Sequence, residues 1–340
     1  MCYDIRTMKK ILVVFILLIV GAFIFWQFSN NETSKSPVGS RQVDSADTTG
    51  TATGSVKPAI RSERTVMVGG VERSYIMYTP RTISTSTPYD VIFAYHPALA
   101  QGSFMEEHAP FYTTPGLESF VTVYPNGISR TFNAGECCGG AFNRQVDDLA
   151  FFTAMLADIQ KVVPIKEKVY LTGFSNGSLM TYRLICEFPN KIAAAVPFAA
   201  AQSMVDCTNG VVPVMHLNGR EDELSLYGAT DKEDTRFSNA NVLVAPPVAL
   251  SEIASRNGCS ATRVPDEYIA SLDATCEQYS GCPATFDVLM CVIPDLGHAW
   301  PGSGDVSGTT KTKLGDMGPY RPELDGTAAI ASFFLEHPVR

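Results

Sequence analysis

The sequence predicts an α/β protein with a mostly parallel central sheet and helices on both faces. Short apolar runs that end in turn residues alternate with amphipathic segments, which is the pattern of buried parallel strands joined by crossover helices. One run, Val169 to Leu171, leads through the pentapeptide Gly173 to Gly177 into the amphipathic segment Leu179 to Phe188. We take this predicted strand, turn and helix as the reference point for the other elements of the chain.

Each further element has a local signal of its own. Two β-rich runs, Thr65 to Val68 and Val71 to Tyr78, meet at Gly69-Gly70 and predict a hairpin. Asp147-Asp148 opens a helical pattern that continues to Ile159, because carboxylates are favoured at the positive end of a helix dipole. The other predicted strands are Val91 to Tyr95, Val121 to Tyr124, Ala193 to Phe198, Val211 to Leu217 and Phe286 to Ile293. The other predicted helices are Pro246 to Arg256 and Thr327 to Glu336.

The N-terminal region predicts export. An uncharged apolar run, Ile11 to Trp26, follows Lys9-Lys10 directly, so residues 1–28 form a signal peptide or a signal anchor. An anchor through residues 11–28 is favoured, because cleavage after Ala22 would leave an apolar terminus. Residues 29–62 are rich in Ser, Thr, Asn, Gly and Asp and predict a flexible polar linker, which leaves 63–340 as the folded domain. We therefore expect a protein that is secreted or anchored on the extracytoplasmic face of the membrane.

Composition narrows the class of partner. The 340 residues are 45% hydrophobic, which is ample for a large core, and they carry a net charge of -9. Because nucleic-acid binding relies on clusters of Lys and Arg, which the sequence lacks, the net charge argues against a nucleic-acid partner. The sequence carries no signal for an oligomeric state.

The cysteines predict disulfides. Eight of the nine follow the export segment, and their even number suits an oxidising compartment. Zinc is disfavoured, because neither paired C-x2-C spacings nor interleaved histidines occur. Spacing alone leaves the pairing open among Cys137, Cys138, Cys186, Cys207, Cys259, Cys276, Cys282 and Cys291.

The pentapeptide around Ser175 has the G-x-S-x-G form of a catalytic serine turn. Its two glycines remove the Cβ atoms that would block a sharp reversal, so the Ser175 hydroxyl stands out from the backbone above the positive end of the next helix. An ordinary Gly/Ser loop is the alternative. The strand before and the helix after the turn favour the nucleophile.

A serine nucleophile needs a base and an orienting acid, which follow it in α/β-hydrolases in the order serine, acid, histidine. His298 fits the base, because it follows the last predicted strand in a loop that contains glycine and proline. The other histidines precede Ser175, lie within a predicted strand or stand at the end of the last predicted helix: His96, His108, His216 and His337. Asp222 is the favoured acid in the loop after the strand Val211 to Leu217, and its neighbours Glu221 and Glu223 are interpreted as solvated.

These residues resemble a family of secreted esterases, the polyhydroxybutyrate depolymerases and the bacterial or fungal feruloyl esterases of carbohydrate esterase family 1. The resemblance extends from about Arg73 to Trp300 and implies the α/β-hydrolase fold. Its motifs are RSYIMYTP, YPNG, FNAGECCG, VDDLAFF, GFSNGSLMTYRLICEFP, RNGC and GHAWPG. The family's acid loop, H-G-T-x-D-x-x-x-P-Y, corresponds to NGREDELSLY, which places the acid on Asp222 and differs at its opening and at its proline.

The resemblance also implies roles for individual residues. It pairs Cys186 with Cys207 and Cys259 with Cys282, leaves Cys276 with Cys291 as an extra bridge, and has Cys137 and Cys138 form a vicinal pair or exchange partners. Members usually carry His-Gly where this chain has His96-Pro97-Ala98. Because proline has no N–H group, the oxyanion hole is expected from the amide of Asn176 and that of Ala98 or Leu99.

Two aromatic residues, Trp300 and Phe132, are expected to form the wall of an acyl pocket, with a packed core position as the alternative for each.

The expected function is therefore that of a serine carboxylesterase that needs no metal or cofactor. Its substrates are feruloyl or acetyl esters of polysaccharide, or short hydroxyalkanoate esters of the polyhydroxybutyrate type. Two alternatives stay open, a serine peptidase of the same fold and a non-catalytic surface binding protein on a hydrolase scaffold.

Overall fold

A computed structural model of the chain describes residues 59–135, 137–207, 210–225, 243–266, 272–283, 285–304 and 317–339. The predicted export segment, 1–28, and most of the predicted linker lie outside these residues. Within the described ranges, no helix combines the length and the apolar character that a membrane span requires.

Ten strands form one sheet. They are β1 (Ile60–Val68), β2 (Val71–Thr79), β3 (Val91–Tyr95), β4 (Val121–Pro125), β5 (Val169–Phe174), β6 (Ile192–Phe198), β7 (Val214–Gly219), β8 (Arg263–Asp266), β9 (Thr275–Tyr279) and β10 (Val288–Ile293). Their spatial order is β1-β2-β4-β3-β5-β6-β7-β10-β9-β8. The six strands from β4 through β3, β5, β6 and β7 to β10 are parallel, and antiparallel strands extend the sheet at both edges.

Helices cover both faces of this sheet. They are α1 (Gly102–His108), α2 (Gly139–Asn143), α3 (Asp148–Ile159), α4 (Asn176–Glu187), α5 (Pro246–Asn257) and α6 (Gly326–Glu336). Alternate residues of the central strands enter separate cores: Phe93 packs in the core that contains α3, α4 and α5, while Ile92 packs in the core that contains α1 and α6. The predicted mostly parallel sheet with helices on both faces, the α/β-hydrolase fold, is confirmed.

The start of the folded domain differs from the prediction. β1 begins at Ile60, inside the predicted linker 29–62, and pairs with β2 in the predicted hairpin. β1 lies at the edge of the sheet, and its residues are exposed or half-buried throughout. An edge strand of this kind needs few apolar residues, so its first residues are similar in composition to a linker.

Four disulfides are present in the described residues. Cys186–Cys207, Cys259–Cys282 and Cys276–Cys291 are the pairs that the family resemblance implies, and Cys137–Cys138 is the vicinal option. The bridge between Cys276 and Cys291 joins directly opposed residues of β9 and β10, so it links the antiparallel edge to the parallel centre of the sheet.

Candidate active site

Ser175 lies at the corner between β5 and α4. Its backbone has φ 56° and ψ -115°, which is a strained conformation for a residue with a side chain. The Ser175 amide donates to the carbonyl oxygen of Phe198 on β6 at 2.9 Å, and this bond holds the corner against the sheet. The turn therefore presents the serine hydroxyl at the carboxyl edge of the parallel strands, where open α/β sheets place their ligands.

The two glycines of the turn allow its close packing. A Cβ atom at Gly173 would meet the carbonyl oxygen of Gly177, and a Cβ atom at Gly177 would meet that of Tyr95 on β3. The turn is thus packed backbone against backbone, which side chains at these positions would prevent.

The structure brings the three predicted site residues together. His298 follows β10, and its Nε2 lies 2.8 Å from the Ser175 Oγ, while its Nδ1 lies 2.8 Å from the Asp222 Oδ2. Because a carboxylate only accepts, Nδ1 carries the proton, and Nε2 is left to accept the serine proton. This is the arrangement in which an imidazole can act as a general base.

Asp222 is fixed by its own loop. Its Oδ1 accepts hydrogen bonds from the amides of Leu224 at 2.8 Å and Ser225 at 3.1 Å, so both carboxylate oxygens are engaged. Asp222 is buried, whereas its neighbours Glu221 and Glu223 are exposed, which agrees with their interpretation as solvated residues.

The amides named for the predicted oxyanion hole differ in their hydrogen bonding. Asn176 is the first residue of α4, where a helix leaves its amides without an internal acceptor. Within the described ranges neither this amide nor that of Ala98 donates to a protein acceptor. The Leu99 amide donates to the carbonyl oxygen of Arg130 at 2.9 Å, so Ala98 is the remaining choice for the second donor.

Hydrogen bonds from neighbouring segments fix the backbone at Asn176 and next to Ala98. The Asn176 side chain accepts from the Phe132 amide at 2.7 Å and donates to the Phe132 carbonyl at 3.0 Å. His96 accepts from the Gly127 amide at 2.9 Å through Nε2, so its Nδ1 donates to the Pro97 carbonyl at 2.8 Å, next to Ala98. Burial lowers the pKa of His96 to about 4, which keeps this imidazole neutral near pH 7.

A cleft of about 490 Å³ opens at the site. Ser175 and His298 lie in its wall, and the lining includes both apolar groups and the charged Glu107 and Arg130. The complete lining is Pro97, Ala98, Leu99, Ala100, Gln101, Ser103, Phe104, Glu107, Arg130, Phe174, Ser175, His298 and Met317. No group of three or more His, Cys, Asp or Glu residues in the described part of the chain could hold a metal ion.

The predicted pocket wall needs correction. Trp300 and Phe132 are fully buried and do not line the cleft. The Trp300 ring packs in the core against Phe198, with ring centroids 5.6 Å apart, and Phe132 packs against His96 at 4.5 Å. Trp300 follows His298 closely in sequence, but its side chain points into the sheet layer, so the alternative of a packed core position is the correct one for both residues.

Other aromatic and apolar groups line the cleft instead. Phe174 is the second residue of the G-x-S-x-G turn, so its place beside the serine could have been inferred from the motif. Phe104 lies on α1, and Met317 lies in a segment that packs against the loop after β10, where the Met317 carbonyl accepts from the His298 amide at 2.6 Å. Neither has a sequence signal that connects it with the site.

The chain resembles curated esterases in sequence. It is 27% identical over 254 residues to feruloyl esterase D of Neurospora crassa, which covers 69% of this chain and 78% of the relative. It is 24% identical over 238 residues to feruloyl esterase B of Piromyces equi, which covers 67% of this chain and 42% of the relative. It is 25% identical over 160 residues to a bifunctional acetylxylan esterase/xylanase of Neocallimastix patriciarum. This match covers 46% of this chain and 22% of the relative.

No protein-family model matches the chain. The relatives confirm the resemblance that the motifs carry, because their names are those of feruloyl and acetylxylan esterases, and they support a carboxylic ester hydrolase. The match spans most of the length of the first relative and less than half of the length of the other two.

Proposed function

We propose that this protein is a serine carboxylesterase that hydrolyses acyl esters of polysaccharides, with Ser175 as nucleophile, His298 as general base and Asp222 as the orienting acid. The observation that carries the proposal is the hydrogen-bonded series Asp222–His298–Ser175, with both links at 2.8 Å, which opens on a cleft. A serine hydroxyl without such a base is a weak nucleophile.

The first step forms an acyl-enzyme. Ser175 Oγ attacks the ester carbonyl carbon while its proton passes to His298 Nε2, and Asp222 stabilises the imidazolium that results. The amides of Asn176 and Ala98 hold the negative oxygen of the tetrahedral intermediate. The intermediate collapses as the C–O bond to the alcohol breaks, and His298 returns the proton to the departing alcohol.

The second step releases the acid. His298 accepts a proton from water, the hydroxide attacks the acyl carbonyl, and the same two amides hold the new oxyanion. Collapse breaks the bond to Ser175 Oγ, which recovers its proton from His298. Neither step uses a metal or cofactor.

Within this class we favour an aromatic acyl group of the feruloyl type over acetyl. Phe104, Phe174 and Met317 contribute apolar groups to the lining of the cleft, and a cavity of about 490 Å³ is much larger than an acetyl group needs. Two of the relatives described above are feruloyl esterases by name, which favours polysaccharide esters over hydroxyalkanoate esters.

The test is the Ser175→Ala variant together with a substrate panel. We expect loss of p-nitrophenyl acetate hydrolysis and of fluorophosphonate labelling, because the nucleophile is absent. Ser178→Ala is the matched control, since the Ser178 hydroxyl donates to the Ala200 carbonyl at 2.6 Å, one turn further along α4. Activity that persists in Ser175→Ala would contradict the assignment.

The panel compares methyl ferulate, acetylated xylan fragments, hydroxybutyrate oligomers and a peptide amide. We expect the highest kcat/KM with methyl ferulate. Preferential cleavage of the peptide amide would favour a serine peptidase, and a folded wild-type protein that never reacts with the fluorophosphonate would favour a binding protein.

A further inference from the structure

A second set of polar side chains lies behind the acid, and the mechanism above uses none of them. We refer to Tyr182, His216, Asn218 and Ser225 as the support network. All four are buried, with at most 3% of the surface of each residue exposed. Tyr182 lies on α4, two turns beyond Ser175. His216 and Asn218 are alternate residues of β7 and therefore point to the same face, and Ser225 lies in the acid loop.

The direction of every hydrogen bond in the support network follows from one carbonyl group. The Gly219 carbonyl can only accept, so the Asn218 Nδ2 faces it at 2.7 Å and also donates to the Ser225 Oγ at 2.9 Å. The Asn218 Oδ1 then accepts from His216 Nε2 at 3.4 Å, which leaves His216 Nδ1 to accept from the Tyr182 hydroxyl at 2.8 Å.

This pattern is that of a neutral His216. Each nitrogen has one role, since Nε2 donates and Nδ1 accepts, and a second proton would turn Nδ1 into a donor and force the Tyr182 hydroxyl to accept instead. Complete burial lowers the pKa of His216 to about 4 and so keeps the imidazole in this state. The support network is therefore a fixed structure near neutral pH.

The support network ends at the acid. The Ser225 hydroxyl is held by Asn218, and the Ser225 amide donates to the Asp222 Oδ1 at 3.1 Å. The other oxygen, Oδ2, holds His298. Because the carboxylate is one rigid group, a displacement of Ser225 rotates both oxygens and changes the bond to the imidazole.

We propose that Asn218 is a positioning residue, which orients the Asp222 carboxylate toward His298 by holding Ser225 in place. This inference rests on the proposed function, since it assigns Asn218 a role only if Asp222 orients the base. It connects β7, the acid loop and, through His216 and Tyr182, the helix that begins beside the nucleophile.

The test uses two variants that remove different links. Asn218→Leu keeps a similar side-chain volume and removes all the hydrogen bonds, and Ser225→Ala removes only the hydroxyl. Each should lower kcat for p-nitrophenyl acetate about 10- to 100-fold and leave KM within about two-fold, because a misplaced catalytic group costs turnover rather than binding. Thr172→Val is the control, since it also deletes a buried hydroxyl, one that donates to the Val196 carbonyl on the neighbouring strand.

A double-mutant cycle separates positioning from general damage. In an Asp222→Asn background, Ser225→Ala should cause no further loss of kcat, because residues that act through one group are not additive. Losses that multiply in this background would overturn the proposal, and so would wild-type kcat in both Asn218→Leu and Ser225→Ala. If Ser175→Ala is inactive at the same time, these results reject the role of Asn218 and leave the proposed function standing.

Discussion

At the scale of single residues, His96 and His216 are imidazoles that burial holds in the neutral form. Desolvation lowers the pKa of each to about 4 from an ordinary value of 6.5. Both are hydrogen-bonded to groups next to the site. His96 donates to the Pro97 carbonyl, and His216 donates to the Asn218 side chain. Protonation of either would therefore disturb the site and the fold together.

These two histidines predict a loss of stability in acid. Between pH 6.5 and pH 4 the unfolded chain binds a proton at each position and the folded chain does not, so the free energy of unfolding falls as the pH falls through this window. We expect a loss of roughly 2 to 3 kcal/mol per histidine between pH 7 and pH 4.5. Urea denaturation at the two pH values measures it.

The His96→Gln variant tests the contribution of one residue. It should be less stable than the wild type at pH 7, because buried hydrogen bonds are altered, yet its stability should fall less on acidification. A pH dependence equal to that of the wild type would contradict the interpretation of His96 as a buried neutral imidazole.

At the scale of elements, the serine turn depends on glycine where β3, β5 and α4 meet. Gly177→Ala would place a Cβ atom against the Tyr95 carbonyl, so the turn must move and carry the Ser175 hydroxyl and the Asn176 amide with it. We expect at least a 100-fold loss of kcat, since the loss of an oxyanion donor alone costs roughly this much. Gly304→Ala is the matched control, because a Cβ atom there meets no atom within 4 Å. Equal activities of the two variants would rule out close packing as the reason for Gly177.

Elements with a strong local pattern could be predicted from the sequence, and those fixed by their neighbours could not. The apolar runs of β3, β4 and β6 are buried at nearly every position, and each lies where the sequence predicts it. α1 has only seven residues and no side-chain cap, and β8, which reads RVPD, is mostly exposed. Their formation depends on contacts distant in sequence, so no local pattern indicates them.

The same distinction applies to the site. The G-x-S-x-G motif selects Ser175, chain order selects His298, and the resemblance to the family's acid loop selects Asp222 from three neighbouring acids. The direction of the Trp300 side chain and the occupation of the Leu99 amide by the Arg130 carbonyl depend on tertiary packing. They could not be inferred from spacing.

At the scale of the whole molecule, a disulfide joins the antiparallel edge of the sheet to its parallel centre. Cys276–Cys291 closes a loop with a sequence separation of 15 across β9 and β10, and His298 follows β10. A loop of this length contributes about 3 kcal/mol in the chain-entropy description.

Removing this bridge should lower stability more than activity. We expect Cys276→Ala combined with Cys291→Ala to reduce the free energy of unfolding by about 2 to 4 kcal/mol, since both cysteines are buried and the loop is no longer closed. Well below the unfolding midpoint, kcat for p-nitrophenyl acetate should stay within a few-fold of the wild type, because β10 remains paired with β7. An unchanged urea midpoint would contradict a stabilising role for the bridge.

The placement of the site residues along the chain also determines when activity can arise. In the proposed triad the base, His298, lies 123 residues after Ser175 in the loop that follows β10, and β10 is held in the sheet by its pairing with β7. A chain that is still being synthesised, with β5 and α4 already formed, has the serine turn without its proposed base. We therefore expect hydrolytic activity to arise late, once the strands near the C-terminal end of the chain have been made and packed, and an unfinished chain to leave esters intact.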